Sequence, residues 1–123
     1  MLLKIAAPTL PQLFEEAGRA LAELMADQWT DDPVAANELV VVQALDQEAL
    51  LVEWLNELVF RSETRERVYP YLRVTELDHC ELQAQIRGAV PNPLRTAVKA
   101  ATYHRLQIAP SPQGYTATVL LDV

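Results

Sequence analysis

Arg73-Val74-Thr75-Glu76-Leu77-Asp78-His79-Cys80-Glu81-Leu82-Gln83-Ala84-Gln85-Ile86-Arg87 is the stretch that decides the fold. From Cys80 to Arg87 the side chains alternate strictly, which on a pleated strand puts Cys80, Leu82, Ala84 and Ile86 on one inward face. Arg73 to Leu77 reads as a partner strand, and Asp78-His79 between them suits a tight connection. The stretch predicts an antiparallel hairpin with one face on a core. Gly88 ends it, and Pro91-Asn92-Pro93 opens a loop.

Downstream, a second alternating run spans Val98 to Ile108, and Pro110-Ser111-Pro112-Gln113-Gly114 turns the chain into Tyr115 to Val123, closing a second hairpin. Strict alternation places His104 with Val98, Ala100, Thr102, Leu106 and Ile108 on one face, and Lys99, Ala101, Tyr103 and Arg105 on the other.

Upstream the period becomes helical. Leu2 to Ala6 reads as a short edge strand ending at Pro8. Thr9 and Gln12 form a capping box, and Leu10, Leu13, Phe14, Ala17, Leu21, Leu24 and Met25 make one apolar stripe. Gln28 to Asn37 reads as a loop, and Glu38 to Ala44, β-branched and apolar on both faces, as a central strand. Asp46 caps a second helix whose stripe is Leu50, Leu51, Trp54, Leu55, Leu58 and Val59, with Arg61 to Arg67 a frayed end or loop. The expected fold is α+β, one domain over residues 1–123, with two helices covering one side of a mainly antiparallel sheet system.

Composition narrows the function classes. The chain has 123 residues, half of them apolar, and seventeen acidic against ten basic residues give a net charge of −7. Such a surface repels bare nucleic acid or an anionic membrane and favours a protein partner with a basic patch. A lone Cys80, a short apolar N-terminal stretch and no membrane-length segment lead to the expectation of a soluble cytoplasmic protein.

Few residues invite chemistry. Ser62 and Ser111 lack a nucleophile-elbow context, and the chain's three glycines make no phosphate loop. Cys80 reads as a packing thiol, His79 as a solvated turn residue and His104 as a hydrogen-bonded core histidine. Lys99, Tyr103 and Arg105 are either the exposed side of a sheet or a contact surface. Asp122 and the carboxylate of Val123 are oxygen donors that calcium or magnesium could use, although such cations take about six to eight ligands.

Several motifs, in order, resemble those of the archease family, small acidic proteins that activate the RtcB-type RNA-splicing ligase. Thr9-Leu10 with Leu13-Phe14-Glu15-Glu16-Ala17 is similar to the family's first-helix signature, and Leu50-Leu51-Val52-Glu53-Trp54-Leu55-Asn56-Glu57-Leu58 to its second. The Asn56-Glu57 step within that stripe is not something core packing alone requests. Gly88, the run Lys99-Ala100-Ala101-Thr102-Tyr103-His104 and the terminal Asp122-Val123 match further family features; Ala97 stands where members often carry an acid.

The resemblance implies an archease-like fold and a non-enzymatic protein that promotes guanylylation and multiple turnover of the ligase in tRNA splicing or RNA repair. It also implies a partner-binding surface at Lys99, Tyr103 and His104, and a divalent cation held partly by Asp122 with Val123. The family's N-terminal His-x-x-Asp-like element has no counterpart here, because Leu2 to Ala6 resembles the segment immediately after that element. Either a ligand has been lost or the coding start lies upstream of Met1, and weak cation binding is the expectation. The rival reading is a diverged acidic interaction module with neither metal nor activator role.

Overall fold

The computed structural model describes residues 1–95 and 98–123, and of Arg105 only the backbone; Ala97 and the side-chain placement expected of Arg105 lie outside this description. In chain order the elements are β1 (Leu2–Ala7), α1 (Leu10–Met25), β2 (Trp29–Asp31), β3 (Glu38–Gln43), α2 (Gln47–Arg65), β4 (Val68–Leu77), β5 (Glu81–Pro91), β6 (Ala100–Ser111) and β7 (Gly114–Asp122).

Both helices start where their caps dictate. The Thr9 hydroxyl accepts from the Gln12 N–H at 3.3 Å, and the Asp46 carboxylate accepts from the Ala49 N–H at 2.7 Å. Each cap contributes about 1 kcal/mol. Burying one leucine contributes about 1.5–3 kcal/mol, so packing of the stripes, not propensity, holds the helices. All six predicted stripe residues of α2 are buried. Trp54 is fully buried, and its indole N–H donates to the Phe14 carbonyl at 2.8 Å, which ties α2 to α1.

The strands form two antiparallel sheets. One has the order β1-β7-β6, with Ile5 opposite Ala117 and Ala101 opposite Leu121. In the other, β5 is central: Ala84 pairs with both Val40 and Val74, and Ala89 with both Asp31 and Val68, so β4 takes one edge while β3 and β2 share the other. Ala117, Val119 and Leu121 from one sheet and Leu82, Ala84 and Ile86 from the other join the helix stripes in one core. The α+β architecture and the two hairpins agree with the sequence reading.

Several local expectations do not hold. Glu38 to Gln43 is an edge strand, with Leu39 61% and Val41 48% exposed, because only β5 pairs with it. The predicted loop contains β2, and α2 runs on to Arg65 because Arg61 and Arg65 both reach Glu38 of β3. Gly88 lies within β5 instead of ending it. Cys80 is exposed: it belongs to a turn in which the Asp78 carboxylate accepts from the N–H groups of Cys80 and Glu81, each at 2.8 Å, so inward alternation begins at Leu82.

The β6 facing also changes. Ala101 is buried, whereas His104 is exposed and is not a core residue. The cause is a register shift: Thr102 pairs with Leu120 but Gln107 with Thr118, so the extra β6 residues break strict alternation.

Candidate functional site

The second-helix motif and the β6 motif meet in space. At the half-buried margin of α2, the Asn56 side chain accepts from the Ala101 N–H at 2.7 Å and donates to the Ala101 carbonyl at 3.3 Å. Both backbone groups therefore point away from β7 and are satisfied by one amide, which accounts for a polar residue inside an apolar stripe. Glu57, beside it, lies 3.6 Å from Arg61.

Two further α2 carboxylates reach the same strand. Glu53 accepts from the Tyr103 hydroxyl at 3.1 Å, and Glu48 accepts from the Ile108 N–H at 3.2 Å. Partial desolvation of the phenol raises the Tyr103 pKa, reinforced by the hydrogen bond to Glu53 and the charges of Glu53 and Asp46. Tyr103 is thus a neutral donor at physiological pH, held toward the helix although 57% exposed.

Beside this contact a groove of about 510 Å³ is lined by residues including Gln43, Leu45, Asp46, Glu48, Glu53 and Tyr103. It shares Gln43 and Glu53 with a second groove of about 410 Å³ that continues to Val41 and Glu57. Among the described residues no lysine or arginine lines either groove. The flank of α2 consequently presents an acidic channel between β3 and β6.

Lys99 and Asp122 come together elsewhere. The Lys99 N–H donates to the Asp122 carbonyl at 2.8 Å, and Asp122 stands opposite Ala100. The start of β1 arrives at the same sheet end: the Leu121 N–H donates to the Met1 carbonyl at 2.7 Å, and the Met1 amine donates to the Leu121 carbonyl at 3.0 Å. The structure thus joins Lys99, Asp122 and Val123 at one end of the sheet and turns Tyr103 instead toward Glu53. Exposed His104 follows on β6.

The residues present do not fit a resident hard cation. Among the described residues no group of three or more His, Cys, Asp and Glu could hold one. Asp122 and the carboxylate of Val123 are two acidic donors at this sheet end, against the roughly six or more oxygens that such a cation takes.

Sequence reasoning missed a third concave surface, on the outer face of the β5-centred sheet. About 600 Å³ in volume, it is lined by residues including Arg19, Trp29, Tyr71, Arg73, Gln85 and Arg87. These come from four separate segments, so no contiguous motif announces them.

The class of protein is then plain: a small α+β fold in which two helices share one core with two antiparallel sheets. The model of the Archease protein family (MTH1598/TM1083) matches residues 1–123, and the chain belongs to this family. It is 31% identical over 123 residues to "Protein archease" of Methanosarcina acetivorans, covering 94% of this chain and 84% of that one. "Protein archease" of Methanopyrus kandleri is 30% identical over 130 residues, covering 98% and 90%.

Two solved structures share the fold. The crystal structure described as an archease, possible chaperone, from Thermotoga maritima superposes with a TM-score of 0.72 at 18% identity, covering 100% of this chain and 90% of that one. The solution structure of Methanobacterium thermoautotrophicum protein 1598 gives 0.65 at 24% identity, covering 99% and 89%. Among the described residues no helix is long and apolar enough to cross a membrane.

Proposed function

We propose that this chain is a cytoplasmic, non-enzymatic activator of an RtcB-type RNA ligase, promoting its guanylylation and multiple turnover in tRNA splicing or RNA repair. The observation that carries this reading is that the two most specific family-matched segments interlock: Asn56 clamps Ala101 and Glu53 receives Tyr103. A motif that only filled a core has no need of those contacts, whereas a surface that must present β6 in one position does. Lys99, Tyr103 and His104 are exposed on or beside that strand and form the docking surface, with Asp122 beside Lys99.

Charge supports the reading. A net charge of −7 steers the chain toward a basic RNA-handling enzyme. The test mixes the chain with its cognate ligase, GTP and magnesium. Sub-stoichiometric amounts raise the guanylylated fraction of ligase, and Lys99→Ala and Tyr103→Phe reduce that rise while leaving the fold intact. An unchanged guanylylated fraction with the wild-type chain would overturn the activator role and leave the diverged-module reading.

A further inference from the structure

The arginines of this acidic protein are unevenly committed. Arg19, Arg61, Arg65, Arg67 and Arg95 each make an ion pair. Arg73 and Arg87 make none among the described residues, and both line the 600 Å³ pocket on the outer face of the β5-centred sheet. Register explains their convergence: Arg87 on β5 stands opposite Tyr71 on β4, and Arg73 on β4 opposite Gln85 on β5, so all four side chains share one sheet face.

Two aromatic side chains complete the wall. The Arg87 guanidinium lies over the Tyr71 ring, 5.0 Å from its centroid, a cation–π contact that holds this planar cation at the wall. The Tyr71 hydroxyl donates to Asp31 on β2, and this bond is the main reason that its pKa lies above the ordinary value. The ring is thereby anchored as a neutral group. Trp29, also on β2, lines the same pocket; half-buried against the core, it is a fixed surface. Arg19 and Glu23 enter from α1, and Arg19 is already engaged by Glu16. With Arg19 held by Glu16 and Asp31 spent on the Tyr71 hydroxyl, the lining keeps Arg73 and Arg87 as two cations without an ion pair among the described residues, on a protein with a net charge of −7.

We propose that this pocket binds a nucleoside phosphate, free or as the terminal nucleotide of a longer strand, with the base against Trp29 and the phosphate on Arg73 and Arg87. Planar cations and aromatic faces are the groups that recognise a π-system carrying a phosphate. The volume suits a ligand of this size. A hydrophobic partner segment would find charge where it needs apolar contact, and a cation would be repelled.

The chain's second tryptophan, Trp54, is fully buried, so quenching of tryptophan fluorescence by added ligand reports on Trp29. Full-length protein is titrated at low ionic strength with GMP, AMP, guanosine, inorganic phosphate and a 5′-phosphorylated trinucleotide, with calorimetry as a second readout. GMP or AMP quenches saturably, and guanosine and phosphate each bind at least about tenfold more weakly, since each keeps only half of the recognition. Arg73→Gln/Arg87→Gln, at exposed positions, keeps the circular dichroism of the wild type and weakens nucleotide binding at least about tenfold.

A trinucleotide that binds as well as GMP identifies the terminal nucleotide of a strand as the source; weaker binding identifies the free nucleotide, because the acidic surface repels the extra phosphates. Three results overturn the proposal: no saturable signal up to about 10 mM of either nucleotide, equal affinity for phosphate and GMP, or unaltered binding by the double variant.

Discussion

Asn56→Ala tests the clamp between α2 and β6. It removes two hydrogen bonds, at 2.7 and 3.3 Å, each with a net worth of about 1 kcal/mol. Ala101 is only 5% exposed, so its N–H is left without a partner and little water, a further cost of about 1 kcal/mol. Alanine's better helix propensity returns about 0.6 kcal/mol. The expected loss is therefore about 2–2.5 kcal/mol, or a fall in Tm of roughly 6–12 °C for a domain of this size. Urea denaturation should lower the midpoint with an unchanged m-value, and hydrogen exchange at the Ala101 amide should speed up before exchange in the core of β5. A loss below about 0.5 kcal/mol with Ala101 still protected would refute the assignment of β6 positioning to Asn56.

Three other perturbations probe separate parts of the molecule. Gly114→Ala should cost about 3 kcal/mol in a thermal melt, because φ is +137° and a Cβ there would lie 2.3 Å from the Ala7 carbonyl oxygen; a neutral result would contradict that packing. The Cys80 and Glu81 N–H groups hold the Asp78 carboxyl below its ordinary pKa, so its folded value lies below its unfolded one. Its stabilising contribution is present above the unfolded pKa and is lost as pH falls through the folded one; Asp78→Asn should flatten the stability profile below about pH 4, measured by denaturation at stepped pH. Calorimetry with calcium should give a Kd weaker than about 0.1 mM, since Asp122 and Val123 supply too few ligands; micromolar binding would contradict it.

Period and capping made the helices legible, since Thr9 and Asp46 both cap where their side chains predict. The hairpins were legible because alternation and turn residues agreed. Errors arose where tertiary context overrides a local pattern. Val40, Val41 and Val42 look fully buried in sequence, yet an edge position leaves Val41 exposed. Cys80 continues an alternating pattern that the Asp78 turn interrupts, and the β6 shift after Thr102 moves His104 outward by a count no single strand contains. The Asn56-Glu57 step signalled a polar role in sequence, but its partner, forty-five residues on, became visible only in three dimensions. The arginine pocket left no sequence trace because β-sheet register, not spacing along the chain, assembles it.

The backbone exchange between Met1 and Leu121 has a practical side for anyone handling this protein. An affinity handle or fluorescent fusion attached at either end emerges at the same sheet corner, next to Lys99 and Asp122. Swapping a tag from one end to the other thus gives no relief from steric interference there; an untagged chain, or a label on exposed Cys80, leaves that corner clear.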